Sequence, residues 1–185
     1  MAAYYLMAQL PSLDGLAERA APPITEERFL ELCGRFLSKR ARRELAQLTL
    51  APPRDFRRSG SSLIDAWNAG ERDLRLALGA ARAERLHKPF DTGGAELSAE
   101  LLRTARTAAE LENPMEAEQF LSRCRLAFLE TLRPMDAFSD DSVFYYGLKL
   151  KLMLRASRFD TEAGRAAYRR IYDSILDGDR QEVLS

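Results

Sequence analysis

Apolar residues recur at spacings of three and four over most of this chain, the period of a helix with one face turned inward. Between residues 25 and 48, Phe29, Leu32, Cys33, Phe36, Leu37, Leu45 and Leu48 fall on one stripe. Thr25 can cap that helix, because its side-chain oxygen accepts a free backbone N–H. Pro52-Pro53 forbid its continuation. A second helix is predicted from Ser62, with Asp65 three residues on as a capping-box-like pair. Leu63, Trp67, Leu74, Leu78, Ala81 and Leu86 recur along its face. Gly70 and Gly79 each cost about 1 kcal/mol relative to Ala in an exposed helix. Either they weaken this helix or their smallness lets a neighbour approach closely. Gly93-Gly94 mark a loop, and a third helix is predicted from Ser98 to near Glu112.

The clearest start in the chain follows: Asn113 caps, Pro114 takes the first helical position and Glu116 completes the box. Phe120, Leu121, Cys124, Phe128 and Leu132 give this helix its stripe, and Pro134 ends it. Over residues 142–158, Leu148, Leu150, Leu152 and Leu154 alternate with Lys149 and Lys151, which is the period of a strand. The segment is long and Val143 is its only β-branched residue, so it is read as a helix. A further helix is predicted from Thr161 to Leu176, with Tyr168, Ile171 and Ile175 inward and Asp177-Gly178 as a stop. Residues 4–10 fit a strand or a short helix; a lone strand has no partner, which favours helix. Six helices with short connections predict an all-α bundle. It forms a single domain over 1–185, with a possible division into subdomains 1–94 and 95–185. The runs 74–86 and 148–158 are each followed by Phe-Asp, at Phe90-Asp91 and Phe159-Asp160; this loose echo reflects a decayed duplication or chance.

Composition narrows the function classes. With 46% apolar and 30% charged residues the chain can bury a core and stay in solution. Its 28 basic and 28 acidic residues cancel, which argues against a globally basic nucleic-acid binder. Of the basic residues 24 are Arg, a choice that suits carboxylate pairing or reflects genomic composition bias. No apolar run of ~18 residues is present, so no bilayer span is expected. No cationic region precedes the first apolar stretch, so no secretory signal is expected and the cytoplasm is.

Candidate chemistry is sparse. Cys33 and Cys124 lie far apart within apolar helical patterns, so buried reduced thiols are expected, with no metal and no cofactor. His87 is the only histidine and stands at a predicted helix end without partners for catalysis or ligation. Arg58-Ser59-Gly60-Ser61-Ser62 precedes a helix but lacks the glycine and lysine spacing of a phosphate loop. Residues 35–58 hold eight basic residues against Glu44 and Asp55, a face for an acidic protein partner or simply a solvated helix end. Phe56 is the only aromatic between those cations outside the helix stripe, so base stacking is not supported. Glu110, Glu112, Glu116 and Glu118 suggest a carboxylate site, though helix capping explains the last two. Tyr145, Tyr146, Tyr168 and Tyr172 are spaced to pack between the last two helices, with Arg155, Arg158 and Arg165 at their junction.

Three stretches together carry a family resemblance. They are Tyr4-Tyr5-Leu6-Met7-Ala8-Gln9-Leu10-Pro11-Ser12-Leu13, then Trp67 to Leu76 continuing through Arg82-Ala83 to Lys88-Pro89-Phe90, and Tyr145-Tyr146-Gly147-Leu148-Lys149-Leu150 through Arg158-Phe159-Asp160. They resemble a bacterial family of unassigned function whose genes accompany V-type ATPase genes. That family is itself similar to a shortened form of the C-type subunit of V/A-type ATPases, called d-type in eukaryotes, whose helices build a funnel. The resemblance implies an all-α protein similar to part of that helical funnel. It would sit peripherally on the inner face of the cell membrane and couple the central stalk to the membrane rotor ring. It implies a non-catalytic subunit or assembly factor, with central-stalk and membrane-ring subunits as partners and no nucleic acid. Partner contacts are expected at Arg75, Arg82, Lys149, Lys151, Arg155 and Arg158. The alternative is a free-standing cytoplasmic adaptor that binds an acidic protein or nucleic acid through residues 35–58.

Overall fold

The computed structural model describes residues 2–17, 20–52 and 58–158. The helix predicted over 161–176 lies outside the described residues, as do Arg54, Asp55, Phe56, Arg57, Arg165, Tyr168, Tyr172 and the Phe159-Asp160 half of the echo. Among the described residues the chain is all-helical and contains no strand. The helices are α1 (Ala2–Gln9), α2 (Glu26–Phe36), α3 (Lys39–Ala46), α4 (Ser62–Arg85), α5 (Ala99–Glu110), α6 (Pro114–Thr131) and α7 (Asp140–Ser157).

Most predicted elements appear where the pattern put them, with one division. The single helix expected over 25–48 is two. Leu37 takes an extended backbone, φ −76° and ψ 148°, and Ser38 caps α3 by accepting the Ala41 N–H. The break lets Leu32, Leu37, Ala41 and Leu45 all reach the core from two helix directions. α4 begins at Ser62 as expected, but its cap lies one residue earlier. Ser61 is the cap, accepting from Ile64 N–H, while Asp65 turns back to accept the Ser59 N–H. Ser61 also donates to Asp141 Oδ1 at 2.6 Å, which ties the starts of α4 and α7 together. Residues 2–9 are helical, and Asn113 caps α6 with Pro114 at its first position, as expected. Leu86 does not join the α4 stripe and is exposed.

The α4 C-terminus explains the lone histidine. His87 has φ 51°, the left-handed conformation that ends a helix. Its N–H bonds Glu84 C=O, and the Lys88 N–H bonds Ala83 C=O, a Schellman closure followed by Pro89.

Helix α7 is the centre of the larger core. Every residue from Ser142 to Leu148 is buried, and so are Leu150, Leu152, Met153 and Ala156. It packs against α1, α2, α3, α4 and α6. A helix surrounded in this way needs apolar residues on all faces, so the leucines at 148, 150 and 152 are all buried. That is the cause of the strand-like alternation in the sequence. Apolar side chains form two clusters. The larger joins α7 to Leu6, Phe29, Leu32, Leu45, Leu63, Ile64, Trp67 and Leu129. The smaller joins Leu74, Ala77, Leu78 and Ala81 of α4 to Ala105, Ala108 and Leu121. Helices α4 and α6 feed both clusters, and both clusters draw residues from before and after Gly94.

Candidate functional site

Three features concentrate the charge of this chain. The first is an ion pair set midway along the two helices that span both cores. On α4, Glu71 falls between Trp67 of one cluster and Leu74 of the other; on α6, Arg125 falls between Leu129 and Leu121. Glu71 is 1% exposed and Arg125 8%. Arg125 Nε donates to Glu71 Oε1 at 2.5 Å. Arg75, one turn on, places its Nε 3.8 Å from Glu71 Oε2. Its guanidinium also donates to the carbonyls of Pro52 at 3.0 Å and Leu50 at 3.4 Å. Taking an acid and a base out of water is costly, and their attraction offsets that cost only when the pair is intact.

The second feature surrounds the outer half of α7. Lys149 Nζ donates to Asp14 at 2.5 Å and to Glu130 at 2.7 Å. Arg133 donates to Glu130 at 2.6 Å and to Asp14 at 3.3 Å. Both cations lie over the Tyr145 ring, at 5.0 Å for Arg133 and 5.9 Å for Lys149. The Tyr146 hydroxyl donates to Pro11 C=O at 2.9 Å and closes the same corner. Hydrogen bonds from Lys149 and then Arg133 hold the Asp14 carboxyl below its ordinary value. Burial, the largest single influence, pushes Glu130 up; Lys149, the Tyr145 hydroxyl and Arg133 more than offset it and bring it down to about 2. Burial pushes the Tyr145 hydroxyl upward, and the neighbouring Glu130 charge adds to this. Among the described residues that hydroxyl makes no hydrogen bond of ordinary geometry.

The lowered carboxyls give a pH dependence with a definite sign. As pH falls, the unfolded chain takes up these protons first, so protonation favours unfolding. The stability they supply is present above the unfolded carboxylate pKa of about 4. It is lost as pH falls toward about 2. Lys149→Met removes the cation that both acids share. Urea melts at about pH 6 and about pH 2 are expected to show a wild-type advantage that shrinks at the lower pH. An advantage independent of pH would contradict the assignment.

The third feature is the outer face of α3. Ala41 and Leu45 point into the core, while Lys39, Arg40, Arg42 and Arg43 are exposed. Arg58, across the chain, is exposed as well.

The six cations expected to meet a partner are not gathered on one face. Lys149 holds Asp14 and Glu130; Lys151 pairs with Glu26 of α2; Arg155 reaches Glu118 of α6 at 2.8 Å. These three bind α7 to its surroundings. Arg75 holds the 50–52 turn beside Glu71. Arg82 and Arg158 are exposed on α4 and at the end of α7.

Several other candidates have structural partners. Glu116 accepts from the Asn113 side chain at 3.1 Å, and Glu118 takes Arg155. Ser59 and Ser61 spend their hydroxyls on the turn and on Asp141. Cys33 is buried and Cys124 half-buried, both as free thiols. Burial pushes Cys33 up to about 12 and Cys124 upward too, so neither is a ready thiolate. Among the described residues no group of His, Cys, Asp and Glu could hold a metal ion, and no helix is long and apolar enough to cross a membrane.

Sequence reasoning missed two features. Glu71 lies four residues after Trp67 and Arg125 four after Leu121, each on its helix's inward stripe. An acid and a base on two inward stripes are the signal of a buried pair. The exposed aromatics Tyr4, Tyr5 and Phe138 were also missed; Tyr4 contacts Tyr5 edge-on, and Phe138 lies 4.7 Å from Tyr4. No family model matches the chain, and no curated protein or solved structure matches it either.

Proposed function

We propose that this chain is a non-catalytic helical subunit or assembly factor of a bacterial V-type ATPase, positioned between the central stalk and the membrane rotor ring. The observation that supports this reading is how the three resembling stretches pack. They are far apart in sequence, yet Leu6 and Leu13, Trp67, and Tyr146, Leu148 and Leu150 share one apolar cluster. The Tyr146 hydroxyl on Pro11 joins the first stretch to the third. Some of the residues that carry the resemblance therefore meet in one core, while others, such as Tyr4, Tyr5 and Phe90, are exposed. Coupling would work through shape and charge complementarity, which sets partner choice and encounter rate. Of the six cations expected at the interface, Arg75, Arg82 and Arg158 are exposed to acids on a neighbouring protein. Arg75 also holds the 50–52 turn, and Lys149, Lys151 and Arg155 contribute by holding α7 in place.

A tagged pull-down from detergent-solubilised membranes of the native host, read by mass spectrometry, tests this. The expected result is recovery of catalytic, stalk and ring subunits at constant ratio. Recovery of the tagged protein alone would overturn the reading. The exposed cations of α3 would then be the leading surface, as an adaptor for an acidic partner.

A further inference from the structure

We propose that the face where α1 meets the α6–α7 turn docks a basic, apolar segment of another protein. The proposal goes beyond the rotary-complex reading and does not rest on it. Large apolar side chains stand open here: Tyr4 is 51% exposed, Tyr5 58% and Phe138 49%, and Met135, in the same turn as Phe138, is wholly exposed. Helix α1 turns Ala3 and Leu6 into the core, which leaves Tyr4 and Tyr5 outward. The turn is pinned from within. Asp136 Oδ1 accepts the Phe138 N–H at 2.9 Å, and the Ser142 hydroxyl donates to Asp136 C=O at 2.5 Å. Phe138 is thereby held against Tyr4, with ring centroids 4.7 Å apart, and Tyr5 meets Tyr4 edge-on at 5.7 Å. Single exposed apolar residues are ordinary, but rings in mutual contact form a patch. Aromatic residues and Met are the types enriched where proteins meet.

A groove of about 310 Å³ lies between the same two elements, with Met7 on the α1 side and Pro134 and Ala137 on the turn side. It offers a slot for an apolar side chain of the partner. The cations in its wall, Arg133 and Lys149, are already matched by Asp14 and Glu130. The charge that selects the partner is on the turn. Asp136 and Asp140 flank Phe138, and both are exposed. Among the described residues neither makes an ion pair. A second copy meeting this patch face to face would set these acids against their own counterparts, which is repulsive. An anionic lipid surface would meet the same repulsion. A Lys or Arg of a partner protein instead pairs with the acids and lies over an aromatic ring, while its apolar neighbours cover the rest.

The test is fluorescence anisotropy of three short labelled peptides titrated with the full chain. One is an amphipathic peptide of leucine and lysine, one has glutamate for each lysine, and one has serine for each leucine. The leucine–lysine peptide is expected to bind at least about tenfold more tightly than either of the others. Tyr5→Gln with Phe138→Ser, which alters no core position, is expected to weaken it at least about tenfold with far-UV circular dichroism unchanged. Asp136→Asn with Asp140→Asn keeps the shape and the turn's hydrogen bond; it is expected to weaken binding and flatten its salt dependence. Glu110→Gln with Glu112→Gln, at the far end of α6, is expected to leave the affinity unchanged. No saturable binding of the leucine–lysine peptide would overturn the proposal. So would equal binding of the glutamate peptide, indifference to either patch variant, or an equal loss in the Glu110 and Glu112 control. Self-association of the chain, or adhesion to anionic vesicles, that Tyr5→Gln with Phe138→Ser abolishes would give the patch to another occupant and overturn it as well.

Discussion

Arg125→Met is expected to destabilise this protein by about 3–5 kcal/mol, because it strands the Glu71 carboxylate in the interior. Native domains are stable by only about 5–15 kcal/mol, so this is a large fraction of the whole. The argument rests on burial rather than on the pair's attraction. Glu71 is 1% exposed, and with Arg125 gone its nearest cation is Arg75, 3.8 Å from Oε2. Arg75's side chain is 42% exposed, so solvent weakens its help. The double replacement Glu71→Leu with Arg125→Met removes both charges and keeps bulk between the two apolar clusters. It is expected to be far milder than the single change, and neutral to stabilising. Urea unfolding of the two variants and the wild type, followed by Trp67 fluorescence, measures both effects. If Arg125→Met cost under about 1 kcal/mol, the pair would not be buried as described.

The pair's position also gives it a role in specificity. It sits where α4 and α6 pass from one apolar cluster to the other, and it adds to the register that the Trp67–Phe128 stack and the close approach of Phe128 to Gly70 also impose. One turn of slippage would separate Glu71 from Arg125 and leave two buried ions unpaired. Through Arg75 the registry of α4 on α6 reaches the 50–52 turn.

How much of this was legible in the sequence depends on what each signal measures. Helix existence was legible, because periodicity reports one buried face, and caps such as Asn113-Pro114 are local chemistry. The division at Leu37-Ser38 was not. The apolar stripe continues across it, and Ser38, the cap of α3, is a weak local mark against that stripe. The alternating leucines of α7 have a strand's period, yet the segment's length and its single β-branched residue read as the helix that forms. A period-two pattern means one buried face in a strand, but here the helix is buried nearly all round. Partner pairing was the least legible. Lys149 and Lys151 read as docking charges from local sequence, yet their acids, Asp14 and Glu26, lie far back along the chain. Nothing in the sequence near α7 reports them. The Glu71–Arg125 pair is the exception, since both residues interrupt otherwise apolar stripes at helical spacing.

Trp67→Ala is the second large effect, expected to cost about 3–5 kcal/mol. Trp67 is wholly buried, and its ring stacks on Phe128 with centroids 6.1 Å apart. Its Nε1–H donates to Thr49 C=O at 3.0 Å. It thus has two roles, filling the larger core and holding the turn that Arg75 grips at Leu50 and Pro52. Trp67→Phe separates them, since Phe retains most of the ring packing and has no donor. A lost hydrogen bond to a half-buried carbonyl is worth about 1 kcal/mol, and the smaller ring adds a partial cavity, so Phe is expected to cost about 1–3 kcal/mol. Far-UV circular dichroism must follow both melts, because this is the only tryptophan in the chain. Amide exchange adds the local readout: Ala51 N–H, bonded to Thr49 Oγ1 at 3.0 Å, is expected to exchange faster in both variants. If Phe and Ala cost the same, the hydrogen bond to Thr49 and not the buried ring would dominate at this position. The turn, rather than the core, would then be what α4 contributes here.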